Sequence, residues 1–528
     1  FIENADYANT NNIYSAYLAK DFLIQDDTIL LESDLIYETN LIKKVVECPD
    51  KDLAVVAKYE SWMDGTVVTC LPNGNIEQFI DKADMDFSCL DKYYKTVNIY
   101  KFSKEFSKNI YMPFLEAYMQ AYGKNSYYET VLKVVAHLAK SHLKAFFMDD
   151  IKWYEIDDAQ DLDIANVLFS NGKHKYDLVI SKFGGYWRYP RMLDFCYLVN
   201  PFFPSNNFIQ KMGKQLEILI THYPSGLAMQ NLNAERIFGV DMSNIIVGNG
   251  AAELISALGA ITKGKVAVSL PTFNEYVRCF KHCDFIRIDN SQWDYNYNLD
   301  YLLKIIPQVD CLCVVSPDNP SGALIPLEEI LLLAQEAQKA NTRLVIDESF
   351  IDFADKDKRY TLFNNDILDK YPSLCVIKSI SKSYGVPGLR LGVLASGDKE
   401  LLSQLSQTIS IWNINSFAEY FLQIFNLYQK EYIDACDKIA QERNRFIKEL
   451  STIKSIKVYP SQANYLMIDL GQTNSYQFCV EMLEDYNIFI KDLSSKAYFE
   501  GKNYIRVSIR NTEDNNAFIK AIKEKINV

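Results

Sequence analysis

Ser379-Ile380-Ser381-Lys382-Ser383-Tyr384-Gly385-Val386-Pro387-Gly388-Leu389-Arg390-Leu391-Gly392 follows a short apolar run, Leu374-Cys375-Val376-Ile377, and decides how the rest of the chain reads. A run this short reads as a buried strand, and the Gly- and Pro-rich stretch after it as a turn. A lysine placed where strand gives way to turn has two readings. Lysine is ordinarily a solvated surface residue. Beside an anion site, it can form a Schiff base with an aldehyde cofactor. Arg390, a little further on, offers a planar fork for a phosphate.

The same rhythm recurs upstream. Lys265–Leu270 is an apolar run followed by Pro271-Thr272-Phe273, and Cys311–Val315 is followed by Ser316-Pro317-Asp318-Asn319-Pro320. Leu and Ala at helical spacing predict a helix over about residues 326–340, after which Leu344-Val345-Ile346 ends in Asp347-Glu348. Strand, loop, helix, strand predicts an α/β domain whose mostly parallel sheet is covered on both faces. Ligands of such sheets sit beyond the carboxyl ends of the strands, where each of these polar groups falls.

Taken singly, each group has alternatives. Gly248-Asn249-Gly250 precedes the helical pattern Ala251-Ala252-Glu253-Leu254-Ile255. Glycine lets backbone approach an anion and a helix start offers free N–H groups, so this is a phosphate site or a plain strand-to-helix turn. Asp347 closes a buried strand, which is costly for a carboxylate unless it is paired. A protonated pyridine nitrogen, a helix N-terminus or a metal would each serve. Arg506 and Arg510 alternate in Tyr504-Ile505-Arg506-Val507-Ser508-Ile509-Arg510 and are expected on one face of a strand. Such a pair suits a dianionic substrate, or ordinary surface ion pairs.

The order Asn319-Pro320-x-Gly, Asp347, Ser-x-Ser-Lys382, Gly388-Leu389-Arg390-Leu391-Gly392, Arg506 resembles the fold-type I aminotransferases, and within them the histidinol-phosphate aminotransferase branch. The resemblance covers roughly residues 181–528. It implies that Lys382 carries pyridoxal 5′-phosphate (PLP), that Asp347 pairs with the pyridine nitrogen, and that Asn319 bonds the ring hydroxyl. Phe273 would stack on the ring, and Gly250, Ala251, Ser379, Ser381 and Arg390 would hold the phosphate. Arg506 would bind the substrate carboxylate, with Arg510 beside it for a second anion. Tyr223 would reach the neighbouring subunit's site, which implies a homodimer. Phe350 stands where the aminotransferases usually have Tyr. That residue, Pro271-Thr272-Phe273-Asn274-Glu275-Tyr276, Val386-Pro387-Gly388, Gly184-Gly185, Asp194-Phe195 and Asn200-Pro201 look more like threonine-phosphate decarboxylase. Decarboxylation and transamination differ by rotation of the substrate about one bond, so both stay open.

The front of the chain has another texture. Leu30-Leu31-Glu32-Ser33-Asp34 is an apolar run ending in an acid, and Trp153-Tyr154-Glu155-Ile156-Asp157-Asp158 supplies more carboxylates. Acids alone often form a solvated face; at a strand end they are candidate metal ligands. Tyr7-Ala8-x-Thr10-Asn11-Asn12-Ile13-Tyr14-Ser15, Trp62-Met63-Asp64-Gly65-Thr66 and Glu155-Ile156-Asp157-x-x-x-Asp161-Leu162 resemble the nucleotidyltransferases, nearest the choline-phosphate cytidylyltransferase type. That resemblance implies an α/β domain over about 1–165, in which Asp34 with Glu155 or Asp157 binds Mg2+ and CTP is the nucleotide. The family's Gly-rich loop is expected ahead of Phe1. Residues 1–4 read like the end of a strand already under way, so this chain is expected to bind CTP poorly without that loop.

The expected organisation is a nucleotidyltransferase-like domain over 1–165, a polar connector over 166–180 and a PLP-dependent domain over 181–528. The last divides into a large part, about 223–435, and a small α+β part, about 181–222 and 436–528. The 528 residues are enough for two or three domains, and 48% apolar with 23% charged residues is an ordinary globular balance. A net charge of -13 with no basic cluster argues against nucleic acid or anionic membrane as partners. The eleven cysteines show no metal-ligand pairing and fit a reducing cytoplasm. Cys279 and Cys283 flank His282, which reads better as an amphipathic helix than as a metal site. No apolar run reaches the ~18 residues of a membrane span. The expected function is a bifunctional cytoplasmic enzyme. Its PLP module would decarboxylate or transaminate a phosphorylated amino acid, for instance serine phosphate to ethanolamine phosphate. Its cytidylyltransferase would activate a phosphorylated alcohol or amine. A plain amino-acid aminotransferase, or a scaffold retaining a dead fold, are the alternatives.

Overall fold

The computed structural model describes residues 1–60, 62–137, 143–148, 151–189 and 191–526. They form two compact units, Phe1–Met192 and Leu193–Val528. The expected connector over 166–180 is instead mostly helical, and it belongs to the first unit. Asp158 starts the helix Ala159–Leu168 by accepting from the backbone N–H groups of Gln160 and Asp161. The helix Gly172–Ser181 follows and buries Tyr176 and Val179. Ser170-Asn171 is thus only the short link between two helices.

The second unit is built on a seven-stranded sheet. In spatial order its strands are Ile245–Asn249, Leu391–Ser396, Leu374–Ser379, Arg343–Asp347, Cys311–Val315, Lys265–Leu270 and Asp284–Asp289. All are parallel except Leu391–Ser396, which runs against both neighbours. The parallel strands are apolar along their length because helices cover both faces. Val345, Ile377, Leu394 and Val268 face one such layer, under Leu254, Ile255 and Leu258 of the helix Gly250–Ile261 and Leu401 and Leu405 of the helix Lys399–Thr408. Each such side chain contributes about 1.5–3 kcal/mol by leaving water.

A smaller antiparallel sheet follows, in the order Lys457–Val458, Tyr465–Asp469, Tyr504–Ser508, Lys491–Asp492. Leu193–Asp194 pairs in parallel with Ile488–Phe489, tying the start of this unit to its end. The strand Tyr504–Ser508 stops before Arg510, so the two arginines do not lie on one strand. The α/β and fold-type I expectations hold for this unit.

The turn after Lys382 shows why glycine is needed there. Gly385 has φ +65°, and a Cβ on it would lie 1.7 Å from the carbonyl oxygen of Phe203. No side chain fits between those backbones, so the segment around Asn200 can press against the Lys382 turn. Asn200 N–H donates to the carbonyl of Lys382 (3.0 Å) and its Nδ2 donates to the carbonyl of Ser383 (3.0 Å).

The first unit carries a six-stranded mixed sheet. Ile76–Ile80, Val67–Cys70, Tyr94–Phe102, Leu53–Lys58 and Lys144–Phe147 follow in order, and Thr28–Leu31 pairs with Tyr94–Phe102. Residues 1–4, read as a strand end, lie in no strand. A separate pair, Leu35–Tyr37 with Trp153–Glu155, sets Leu35 opposite Glu155. No helix among the described residues is long and apolar enough to cross a membrane.

Candidate functional site

At the carboxyl ends of the second unit's parallel strands, the sequence-predicted residues gather. Lys382 lies in the short helix Ile380–Ser383 directly after its strand. Its Nζ sits 4.6 Å from the ring centroid of Phe350 and 5.0 Å from that of Phe273. Burial pulls its ammonium pKa below the usual lysine value. Arg506 and Arg390 push the same way, against the carboxylate of Asp347. A lysine that gives up its proton readily is a competent nucleophile and proton carrier.

Asp347 is buried at the end of its strand and both its oxygens are engaged. Tyr276 Oη donates to Oδ2 (2.9 Å), while Ser349 donates to Oδ1 through its backbone N–H (3.0 Å) and its hydroxyl (2.5 Å). Burial and this carboxylate hold the Tyr276 phenol far above its ordinary pKa, so it remains a donor. Tyr276 lies in a motif read from the sequence, which gave it no role, and Ser349 was not singled out; their signal was only proximity to Phe273 and Asp347.

A phosphate-sized cradle lies around Gly250. This residue has φ +75°, and a Cβ on it would come within 3.0 Å of Arg390 Nη2. Arg390 itself has φ +55°, in the left-handed region. Gly392 runs so close behind that its Cβ would lie 2.4 Å from the backbone nitrogen of Ala251. Ser381 Oγ is buried without a hydrogen-bond partner. An orphaned hydroxyl, a fork of N–H groups and a helix start beside glycine fit a phosphate group. With Lys382 and Asp347 they fit PLP.

Arg506 donates to Asn319 Oδ1 (2.7 Å) and to the carbonyl oxygen of Cys196 (2.8 Å), and its Nε is buried without a partner. Among the described residues the guanidinium therefore has neutral acceptors and no carboxylate in ion-pair contact, Asp194 acting on it only from a distance. Arg510 differs. It pairs with Asp514 (2.8 Å) and donates to the carbonyl oxygen of Asp194 (2.8 Å). Tyr223 is not part of this cluster; its ring is exposed and stacks on Trp412 at 4.4 Å.

In the first unit, Asp34, Glu155 and Asp157 line one cavity of about 940 Å³ together with Glu32, Lys95, Asn98 and Glu129. The Leu35–Tyr37 pairing brings the acids together: the backbone N–H of Ile156 donates to the carbonyl of Asp34 (2.9 Å). Mg2+ at these three residues, expected from the sequence, is not supported. No group of three or more metal-ligating side chains exists among the described residues. Glu155 is already neutralised by Lys95 (3.2 Å) and bonded by Asn98 Nδ2 (2.7 Å). Lys95 and Asn98 were missed because nothing in the mixed pattern of the strand Tyr94–Phe102 shows that it is buried. A bulge there, with Asn98 at φ +56°, breaks the alternation and lets both reach Glu155. Glu129, also missed, accepts from Thr66 Oγ1 (3.1 Å), Thr96 Oγ1 (3.2 Å) and the Tyr100 hydroxyl. Burial, then the charges of Glu129, Asp34 and Glu155, push Glu32 up to about 7.

A buried lysine after a strand, facing an aspartate at the next strand end and a phosphate cradle, defines the second unit as a fold-type I PLP-dependent protein. The family model for aminotransferase class I and II matches residues 220–522, more than half of the chain, and the chain belongs to that family. It is 33% identical over 347 residues to the L-serine phosphate decarboxylase of Sulfurospirillum multivorans, covering 63% of this chain and 87% of that protein. It is 29% identical over 529 residues to CMP-5′-(3-aminopropyl)phosphonate synthase of Streptomyces rubellomurinus, covering 99% of this chain and 83% of the other. The histidinol-phosphate aminotransferase structure from Clostridium acetobutylicum superposes with a TM-score of 0.57 at 25% identity, over 64% of this chain and 99% of that one. The chain is thus related to both the decarboxylase and the aminotransferase branches.

Two outcomes follow from these sites. Purified protein loaded with PLP will be yellow, borohydride will fix the cofactor to Lys382, and Lys382→Ala will remain unlabelled; a label on another lysine contradicts the assignment. In the first unit, Glu32 holds its proton to a higher pH folded than unfolded, where its ordinary value is 4.5. Its protonated form therefore favours the fold fully below that value, and the contribution is lost as pH rises through about 7. Glu32→Gln should unfold at a higher temperature than the parent at pH 8.5 and show no such advantage at pH 4, read by thermal denaturation of the full chain.

Proposed function

We propose that this chain is a bifunctional enzyme. Its PLP unit removes the carboxylate of an amino acid that carries a second anion, a phosphate or phosphonate. Its front unit is a cytidylyltransferase acting on such an anion. The observation that carries the first part is Arg506, a buried guanidinium fixed by two neutral acceptors and, among the described residues, in ion-pair contact with no carboxylate. A substrate carboxylate supplies the missing charge in the bidentate geometry arginine favours.

In this reading Lys382 holds the cofactor, Asp347 meets its pyridine nitrogen, Asn319 its hydroxyl and Phe273 its ring face. Gly250, Ala251, Ser379, Ser381 and Arg390 hold its phosphate. When bound, PLP supplies an electron sink for whichever bond at the substrate's Cα stands perpendicular to its ring. Arg506 then decides which bond that is, by fixing the carboxylate. Phe273 and Phe350 keep water from the reacting face. Lys382 Nζ returns a proton to Cα in place of the departing CO2. Phe350 offers no hydroxyl where the aminotransferases it resembles usually have one, which supports decarboxylation over transamination, as does the match to L-serine phosphate decarboxylase.

Arg510 is a second cation on the substrate side, and it also holds the Asp194 carbonyl beside the Cys196 carbonyl that receives Arg506. Tyr223 and Trp412 lie exposed with Ile218, Ile220 and Ile411, which supports a homodimer in which Tyr223 completes the other subunit's site. For the front unit, the support is the match to CMP-5′-(3-aminopropyl)phosphonate synthase, which extends over nearly the whole chain.

With O-phospho-L-serine, we expect CO2 and ethanolamine phosphate in equal amounts. A keto acid, with the cofactor left as pyridoxamine phosphate, would settle the matter for aminotransferase. With CTP and ethanolamine phosphate or an aminoalkyl phosphonate, the front unit supplied with a Gly-rich nucleotide loop should release pyrophosphate and form a CMP conjugate, where the chain alone does so poorly. Asp34→Asn, which alters a cavity-lining carboxylate whose Oδ1 is buried without a partner, should lower that release while leaving the CO2 yield unchanged; equal loss of both activities would count against two separate sites.

A further inference from the structure

Beside Arg506 lies a cluster of positive charge with which no carboxylate forms an ion pair among the described residues; Asp318 and Asp194 act on it only from a distance. Lys491 stands directly opposite Arg506 in the antiparallel register of Lys491–Asp492 and Tyr504–Ser508. Like charges placed opposite each other across a ladder repel. Lys496, on the loop between these two strands, adds a third cation. Its Nζ donates to the carbonyl oxygen of Thr272 (2.6 Å) and to Asn274 Oδ1 (3.2 Å), both neutral acceptors. Burial and the charges of Arg506 and Lys491 push its ammonium down to about 7, against the pull of Asp318. Asp318 is no ready partner. Burial raises it to about 6, and its oxygens already accept from Ser321 (2.7 Å) and Thr272 (3.2 Å).

The place of Lys496 links it to the reacting centre. Thr272 and Asn274 flank Phe273, whose ring lies against Lys382 Nζ. Lys496 is therefore pinned to the segment that forms one wall of the cofactor site. Arg510, by contrast, already has the carboxylate of Asp514. Positive groups gathered out of water without an anion are costly, and the cost is relieved when a ligand brings one.

We propose that Lys496 is the specificity-determining cation that binds the second anion of the substrate, a phosphate or phosphonate on the amino acid's side chain. Lys491 and Arg506 hold it in a field that only an anion relieves. Lys496 thus distinguishes phosphorylated from unphosphorylated substrates, while Arg510 acts through the Asp194–Cys196 backbone. The proposal rests on the reading above that the substrate is doubly anionic.

The test is a titration of the PLP-loaded enzyme with O-phospho-L-serine and with L-serine, followed by the change in cofactor absorbance, for the parent, Lys496→Gln, Lys496→Arg and Arg510→Ala. Lys496→Gln should weaken phosphoserine binding roughly ten- to hundredfold, the usual effect of one charge-assisted contact, and leave L-serine binding unchanged. Lys496→Arg should restore most of the loss. Arg510→Ala should weaken both ligands alike. A parent enzyme with no preference for phosphoserine would overturn the doubly anionic substrate and this proposal with it. A parent that prefers phosphoserine, with Lys496→Gln keeping that preference, would overturn this proposal alone. Should Lys496→Gln fail to take up cofactor, Lys496→Met is put through the same comparison, and equal weakening of both ligands in it would also overturn the assignment.

Discussion

A carboxylate at the end of a buried strand must have both oxygens bonded, and the second unit is arranged around that requirement at Asp347. Tyr276 reaches one oxygen from the helix Asn274–Cys279, and Ser349 reaches the other from the residues just beyond the strand. The Ser349 hydroxyl also accepts from the backbone N–H of Ser379 (2.8 Å), at the end of the Lys382 strand. One buried charge therefore fixes the spacing between the Phe273 wall, the aspartate strand and the lysine strand. Left unpaired, it would cost several kcal/mol or lose its charge. The site can be rigid because its most expensive group is also its connector.

Much of this unit was legible in the sequence. Lys265–Leu270 and Cys311–Val315 are strands with the bounds their apolar runs gave, because a strand buried on both faces is apolar from end to end. Lys382, Asp347, Asn319 and Arg506 were singled out because their order resembles that of the fold-type I aminotransferases; taken singly, each had another reading. Tyr276, Ser349 and Lys496 were not found, since a hydroxyl or a lysine in a loop carries no periodic signal. The antiparallel course of Leu391–Ser396 was also invisible: strand direction is set by partners far away in the chain. In the first unit, the bulge at Asn98 and the buried Lys95 carry no signal in the sequence, since burial of a lysine inside a strand depends on its distant partner Glu155. The helices at Ala159–Leu168 and Gly172–Ser181 were hidden by the polar residues that join them.

The two units manage charge in opposite ways. The cavity of the first is rich in carboxylates, with Lys95 as a buried counter-charge and Glu32 pushed toward its neutral form. The substrate side of the second gathers Lys491, Lys496 and Arg506 around neutral acceptors. Each arrangement is costly by itself: the first is relieved within the chain, by Lys95 and by the raised pKa of Glu32, whereas the second favours a ligand of the opposite sign.

The reversed strand Leu391–Ser396 has a consequence for how the chain comes together. It is the last of the seven strands in sequence, yet it lies between the first, Ile245–Asn249, and the sixth, Leu374–Ser379. During synthesis the first strand waits, with an edge unpaired, until the last has emerged to insert beside it. Contacts closed over so long a loop form late, and exposed edges in the interim invite association with other chains. Gly250 and Arg390 flank that junction, so the phosphate cradle can exist only once insertion is complete. An anion bound there would act on the final species alone, drawing late assembly intermediates toward the finished fold by mass action.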